Sequence, residues 1–455
     1  DPEGQGAMWG IEPGCKITTI GLSDVAALVK GFNDKLGAEK VTPLNVIRTE
    51  WRFLAYGLLM SFWSSLGQTF FISLFSQEIR NSLNLSHGEF GIHYAIATTA
   101  SALTLFWLGK LADSVSVPRL SLMTLGGVCL AALHFSFVSS VLTLILGFYL
   151  LRLSGQGMMY HVYSTAVTRR YTATRGRALA LCGLGMPLGE AAFPVLVILA
   201  LSLTDWRTIW FVLPLLAFFS FAPAIPYLTR RTAQQDGPGR EADNLSEQPA
   251  ERFSVRRRVV IQDSAFWGVV IWLMMIPGFT ITGLFFHQIF IAGEKAVPLW
   301  LWSSNYVWYA LSALAGAFLS GFLVDRFSAH RVAWLTQAPM LFACLVLWWG
   351  QGPFWLPAFF VLFGMGGGMI PPLVNALLAE RYGTGWLGEI KALAMPMNVF
   401  ASALSPALMG IFIDIGVSLN FILLLLAGLS LFSLLAPLVW FNLLGLIKLP
   451  EKLTA

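Results

Sequence analysis

The chain has 455 residues, of which 56% are hydrophobic and 12% charged, and its formal net charge is +5. A water-soluble domain normally carries about a quarter charged residues, so this composition excludes an ordinary soluble protein and indicates that the chain uses a bilayer as solvent. The Lys and Arg residues are spread over short gaps without interleaved aromatic patches, which argues against a nucleic-acid partner. The four cysteines form no Cys-x-x-Cys pair, so we predict neither a disulfide framework nor a metal site.

Residues 1–48 differ in kind from the rest of the chain. Ser23 and Asp24 are typical of a helix start, and the apolar residues that follow, up to Leu36, share one helical face. A short amphipathic helix on the inner membrane surface is one interpretation. A leader that is not native to the protein is the alternative.

Twelve apolar stretches follow, each close to the ~20 residues that a membrane-spanning helix needs. We therefore predict an all-α integral membrane protein with twelve transmembrane helices. The first six lie in a bundle over residues 49–228 and the last six in a bundle over 265–445, joined by a polar linker at 229–264 and followed by a tail at 446–455. The predicted helix limits are 53–75, 90–110, 119–139, 141–165, 177–201, 206–228, 265–291, 301–323, 331–350, 353–379, 388–413 and 417–441.

The distribution of Lys and Arg predicts the orientation in the membrane. The gaps after the even-numbered helices are rich in Lys and Arg, whereas the opposite gaps hold only Arg80, Arg207 and Lys295. Cationic residues are retained on the cytoplasmic side. We therefore expect a multi-pass protein of the bacterial inner membrane with both termini in the cytoplasm.

One short pattern occurs twice. Gly109, Leu111 and Asp113, followed by Arg119, recur 212 residues later as Gly321, Leu323, Asp325 and Arg331. The same offset carries Gly155 to Gly367 and Pro194 to Pro406, so a whole block of helices is duplicated in parallel. Two like-oriented halves with a substrate held between them are a known plan for secondary transporters.

These residues resemble the major facilitator superfamily, whose signature between the second and third helices runs Gly-x-Leu-x-Asp-Arg-x-Gly-Arg-Arg/Lys. Four residues match this signature, Gly109, Leu111, Asp113 and Arg119, while Ser114 stands where the family usually has Arg. The resemblance covers about residues 50–445 and implies two six-helix bundles that carry out secondary active transport.

Within the superfamily, three stretches resemble bacterial relatives of the monocarboxylate transporters. The stretches begin at Gly67-Gln68, Arg152-Leu153 and Arg175-Gly176. The eighth helix departs from that group, because residues 303–319 hold no charge where those proteins tend to carry an Asp/Arg pair.

The duplicated charges are candidates for gating. Asp113 can cap a neighbouring helix N-terminus and pair with arginines when the inner gate is shut. On this basis we assign gating roles to Asp113, Arg119, Asp325 and Arg331; simple surface charges are the alternative.

Two charges are predicted within the membrane. Arg152 lies about midway along the fourth helix and Glu190 about midway along the fifth, and inserting each costs on the order of 3 kcal/mol or more. An ion pair between them would offset much of that cost. The repeat places Gly364 and Ser402 at the equivalent positions. The scaffold therefore does not need these charges, and we predict a substrate site at Arg152 and a proton-coupling site at Glu190. A purely structural ion pair is the alternative.

Other polar residues can line the same cavity. On an α-helical wheel Gln156 and Tyr163 share the face of Arg152. Late in the seventh helix, His287 lies near the outer mouth and suits a gating role. Candidates on other helices, each of which could instead bond a neighbouring helix, are Gln68, Asn305, Asn375 and Asn398.

The sequence thus predicts a monomeric, proton-coupled symporter that moves a small carboxylate-like anion by alternating access. In that scheme Arg152 binds the anion, Gln156 and Gln68 orient it, and Glu190 exchanges the proton. No catalytic triad, Walker motif or cofactor motif is recognisable, so we expect no enzyme activity. The alternatives are a proton-antiport exporter of amphipathic compounds and a non-transporting membrane sensor or assembly factor.

Overall fold

Helices make up the described chain. The computed structural model describes residues 43–171, 175–230, 255–383 and 386–445, and no strand occurs in those ranges. The predicted amphipathic helix, residues 231–254 of the predicted linker and the tail at 446–455 lie outside the described residues. Contacts divide the chain into two units, Asp1–Trp51 and Arg52–Ala455. The first unit is described only from Pro43, where it is helical, and both halves of the repeat lie in the second.

Twelve segments follow one another in the described chain. In the first half they are α1 (Pro43–Trp63, with shorter turns up to Ser76–Leu83), α2 (His87–Leu108 and Leu111–Ser114), α3 (Val117–Ser136), α4 (Val141–Leu151, Arg152–Met159 and Tyr160–Arg170), α5 (Arg175–Gly183 and Gly185–Leu201) and α6 (Trp206–Phe221 and Ala224–Thr229). A short helix, Arg257–Gln262, precedes the second half. That half contains α7 (Phe266–Val270, Ile271–Phe286 and Gln288–Glu294), α8 (Leu299–Ser304 and Tyr306–Phe327), α9 (Leu335–Gln337 and Ala338–Trp349), α10 (Leu356–Tyr382), α11 (Leu387–Asp414) and α12 (Leu419–Pro437 and Leu438–Leu443).

The lengths of these segments agree with twelve membrane crossings. Ten are long and apolar enough to span a bilayer, α1 is a further span bent by 46°, and α9 is a shorter apolar helix. The first segment begins about ten residues earlier than predicted and continues beyond its predicted end to Leu83.

Three segments are interrupted at polar residues that the sequence had marked as candidates. The break in α1 falls at Gln68, whose backbone is extended (φ −86°, ψ 151°). The break in α7 falls at His287 and that in α8 at Asn305. Irregular backbone at membrane depth is tolerated only where protein or a water-filled cavity surrounds it. These breaks therefore identify positions that face the protein interior.

The segments alternate in direction, so the protein has two faces. We call the end that carries Asp113 and Asp325 the signature face and the end that carries His87 and Asp414 the far face. The two halves pack through α2 against α11 and through α5 against α8. Hydrogen bonds between the halves close the far face: Ser73 donates to the carbonyl of Phe285 (2.7 Å), and the amide of His87 donates to Asp414 (3.0 Å).

Candidate substrate and coupling site

Two glycines place the break in α1 against the middle of α4. A Cβ on Gly67 would come within 2.3 Å of the Leu151 carbonyl, and one on Gly155 would come within 2.8 Å of the Gly67 backbone. Side chains at these positions would force the helices apart. The α4 backbone is π-helical at this point, from Arg152 to Met159, a local widening that is often found at functional sites.

Arg152 projects from the start of that π-helical stretch into the first bundle and is 4% exposed. Its NH1 group donates to the Gly67 carbonyl and to the Thr69 hydroxyl, both at 3.3 Å. The guanidinium carbon lies 5.3 Å from the centre of the Tyr94 ring, and the Tyr94 hydroxyl is 2.7 Å from that of Thr69. A carbonyl, a hydroxyl and a ring face therefore hold the guanidinium in place.

The positive charge of Arg152 lacks a negative partner. Its Nε is buried without a hydrogen-bond partner, and no ion pair to Arg152 occurs within the ranges that the structure covers. A buried charge normally requires a counter-ion, because desolvation costs several kcal/mol. The described residues thus leave this buried charge without a counter-ion.

Glu190 does not supply that anion, so the Arg152–Glu190 ion pair that the sequence left as the structural alternative is not formed. Glu190 is 5% exposed on α5. It interacts electrostatically with Tyr306 and Tyr309 of α8, which belong to the other half. The neighbouring Gly189 lets α5 approach Ser65 of α1, since a Cβ would come within 2.2 Å of its hydroxyl oxygen. Glu190 therefore lies where the two halves meet rather than beside Arg152.

A polar network crosses the same interface. The Tyr306 hydroxyl donates to Gln288 at 2.7 Å. The Gln288 amide donates to the Phe70 carbonyl at 3.0 Å and to the Ser73 hydroxyl at 2.8 Å. All of these groups are buried. The network thus joins Tyr306, on which Glu190 acts electrostatically, to Ser73, whose bond to the Phe285 carbonyl helps to close the far face.

The other predicted binding residues have varied surroundings. Gln68 is buried and lies between the two residues that bond Arg152. Gln156 is half-buried in the π-helical stretch, and Tyr163 is buried. The α-helical wheel does not describe this face of α4, because the π-helical turns change the angle that each residue contributes.

The three candidate asparagines in the second half have different surroundings. Asn305 is buried at the break in α8, and its Oδ1 has no partner. Asn398 packs against Gly278 of α7, where a Cβ would lie 2.2 Å from its Oδ1. Asn375 is exposed on α10. Of the three, Asn305 is thus the one whose buried amide oxygen lacks a partner, and it directly precedes Tyr306.

His287 lies at the far face, where the sequence predicted a gate. Its Nε2 lies 2.9 Å from the Pro406 carbonyl, and its ring centre is 5.9 Å from that of His87 in the other half. The residue is thus at the seam between the halves.

The signature residues behave differently in the two copies. Asp113 forms an ion pair with Arg169 at the end of α4, and Arg169 also donates to the Ala112 carbonyl (2.7 Å). Arg119, Asp325 and Arg331 are exposed. The sequence prediction did not include Arg169, although the 212-residue offset maps it onto Arg381.

Arg381 has a different partner in the second half. Asp263 accepts hydrogen bonds from Arg381 Nε (2.6 Å), from Arg381 NH2 (2.9 Å) and from the Tyr382 hydroxyl (2.6 Å). Burial alone would raise the pKa of Asp263, but these bonds outweigh it and hold the pKa below its ordinary value. The network fixes the end of the linker to α10, and the sequence alone offered no signal for it.

Comparison with known proteins agrees with this architecture. The family model of the major facilitator superfamily matches residues 57–304, more than half of the chain. No curated protein matches the sequence significantly. Among solved structures, a bacterial homologue of the human lysosomal transporter Spinster, inward-facing and unoccupied, is 14% identical with a TM-score of 0.60, and the match covers 86% of this chain and 96% of that one. A variant of the nucleoside transporter NupG is 12% identical with a TM-score of 0.63, covering 86% of this chain and 100% of the other.

The chain therefore belongs to the major facilitator superfamily. It has the fold of that family, two six-helix bundles related by a parallel repeat, and is a multi-pass membrane transporter rather than an enzyme.

Proposed function

We propose that this transporter couples protons to the movement of a small organic anion, with a carboxylate as the preferred charged group. The observation that carries the proposal is the buried Arg152 guanidinium, which has an unpartnered Nε and no anionic neighbour among the described residues. A carboxylate can bind two N–H groups of a guanidinium side by side. Because the protein supplies no such carboxylate, the substrate is the natural partner.

The residues around Arg152 then have distinct roles. Thr69 and Tyr94 hold the guanidinium in position, since both contact it and each other. Gln68 and Gln156 are available to orient the rest of the substrate. Asn305 can contact it from the second half through the free Oδ1.

Glu190 is the proposed proton carrier, acting through the contact between the halves. A carboxyl group buried without a cationic neighbour costs least when it is neutral. When α5 and α8 separate, water reaches the group and it can ionise. Proton exchange at Glu190 is therefore linked to opening of the interface, and substrate binding at Arg152 is linked to the same change of state.

The proposed orientation has the signature face in the cytoplasm of a bacterium. The polar gaps on that face carry most of the Lys and Arg residues of the transmembrane region. The far face, closed by hydrogen bonds between the halves, then faces outward.

The experiment that tests the substrate class is ligand binding to Arg152→Gln. The purified protein is titrated with a panel of small carboxylates and amines by calorimetry. The loss of charge-assisted hydrogen bonds, worth about 1.5–3 kcal/mol, weakens carboxylate binding by about 10- to 150-fold.

Arg230→Gln is the matched control, since Arg230 is an exposed arginine at the end of α6, and it should bind like the wild type. Unchanged carboxylate affinity in Arg152→Gln would overturn the assignment. Binding of amphipathic amines with no binding of acids would favour the exporter interpretation instead.

A further inference from the structure

An aspartate at the end of α11 caps the start of α2 in the other half. The Asp414 carboxylate accepts hydrogen bonds from the amides of His87 (3.0 Å) and Gly88 (2.7 Å). The amide of the next residue, Glu89, donates to the Ser86 hydroxyl, and the Glu89 carboxylate accepts a hydrogen bond from the Ser86 amide. The first turn of a helix leaves its amides without intrahelical partners. Its own capping box and Asp414 together satisfy those of α2.

Glycines make the contact between these helices unusually close. A Cβ on Gly88 would lie 2.7 Å from Asp414 Oδ2, and one on Gly91 would lie 2.3 Å from the Pro406 carbonyl. On the other side, a Cβ on Gly410 would lie 2.4 Å from the His87 carbonyl. The α2 and α11 backbones thus touch at the far face, and Asp414 lies at the end of the seam.

The signature face contains the reverse of this arrangement. Because α2 and α11 run in opposite directions, Asp113 ends α2 on the face where α11 begins. The α11 start reads Leu387-Gly388-Glu389, and the α2 start reads His87-Gly88-Glu89. Thus Asp113 lies near the end of α2 and α11 ends with Asp414, and each helix has a Gly-Glu pair at its second and third positions.

Only one of the two contacts is made in this structure. Trp386, at the N-cap of α11, makes no side-chain cap, and a Cβ on Gly388 would meet nothing within 4 Å. Asp113 is paired with Arg169 instead. The start of α11 thus has no side-chain cap on the signature face, although the Arg256 guanidinium lies over the Trp386 ring (4.5 Å). The start of α2, by contrast, is capped on the far face.

We propose that Asp414 is the latch of the far gate, the counterpart on that face of the cap that Asp113 is expected to make when the signature face is shut. When the far face is closed, Asp414 caps α2 and Asp113 is held by Arg169. When the signature face closes, Asp113 leaves Arg169 to cap α11, and Asp414 is released to water. The proposal goes beyond the proposed function and does not depend on the identity of the substrate.

The test measures the state of the far face directly. Spin labels on Ser139→Cys and Phe354→Cys, one in each half and both exposed at that face, report its opening by pulsed electron resonance distances in nanodiscs. The native cysteines are replaced by alanine. Loss of a helix cap in Asp414→Ala should raise the ratio of open to closed far face by about 2- to 30-fold.

Asp205→Ala is the matched control. Asp205 also caps a helix at the far face, but within its own half: its carboxylate accepts from the Thr208 amide of α6 (2.9 Å). This variant should leave the distance distribution unchanged. The double variant Asp113→Ala/Asp414→Ala should return the ratio towards the wild type, because both closed states lose a cap. A distribution in Asp414→Ala identical to that of Asp205→Ala, or a double variant as open as Asp414→Ala alone, would overturn the latch.

Discussion

A single methyl group added at Gly91 should open the far face. The Cβ of Gly91→Ala would lie 2.3 Å from the Pro406 carbonyl oxygen and 2.9 Å from the Ala407 Cα. Both are backbone atoms in the middle of α11 and cannot turn aside. The oxygen contact is about 1 Å short of ordinary van der Waals distance, so the two helices must move apart by roughly that amount.

The expected change in the open-to-closed ratio follows from the free-energy cost of overpacking a well-packed interior, which is about 1–3 kcal/mol. The cost applies only to the closed far face, because the methyl group is free once α2 and α11 separate. The open-to-closed ratio should therefore rise by about 5- to 150-fold, with the protein still folded and still able to bind its substrate.

The Ser139/Phe354 label pair measures this ratio. Gly126→Ala on α3 is the control, because a Cβ there would meet nothing within 4 Å. If Gly91→Ala and Gly126→Ala give the same distance distribution, then close contact between the α2 and α11 backbones does not seal the far face.

The Asp263 network gives two further predictions, one for a substitution and one for pH. Asp263→Asn leaves Arg381 buried without its anion, which typically costs about 3–5 kcal/mol of stability. The melting temperature in detergent should therefore fall by on the order of 10 °C. Substitution of the exposed Asp205 by Asn should change the melting temperature little. Hydrogen bonds from Arg381 and Tyr382 keep the pKa of Asp263 below its ordinary value despite burial, so the stability they contribute is present above about pH 4 and is lost as the pH falls through the lowered pKa. The difference in melting temperature between wild type and Asp263→Asn should therefore shrink in acid, and a difference that stays constant down to pH 3 would contradict the assignment.

The architecture was predictable because it follows from composition and periodicity. The apolar segments, the charge-poor interior and the 212-residue repeat led to twelve helices in two halves, and the family match agrees. The burial of Arg152 and Glu190 was predictable for the same reason, since their positions along the helices set their depth.

Contacts between segments were not predictable in the same way. Depth along a helix does not specify direction around it, so the sequence could not decide whether Arg152 and Glu190 form an ion pair, the structural alternative. No such pair is formed, and Glu190 acts electrostatically on Tyr306 and Tyr309 of the other half. The π-helical turns of α4 also alter the wheel on which Gln156 and Tyr163 were placed.

Asp414 and Asp263 were missed for a related reason. Each lies at the end of a helix, where a charged residue is expected in any case. Only the packing of α11 against α2, and of the linker against α10, shows that their carboxylates have specific partners.

Proton coupling through Glu190 is the central claim, and uptake driven by a pH gradient in proteoliposomes tests it most directly. With a carboxylate that the wild type binds, an acidic exterior should accelerate uptake by the wild type and by Glu294→Gln, whose carboxylate is exposed. Glu190→Gln should retain exchange of labelled for unlabelled substrate and lose the response to pH. Equal acceleration by the pH gradient in Glu190→Gln and wild type would contradict the account.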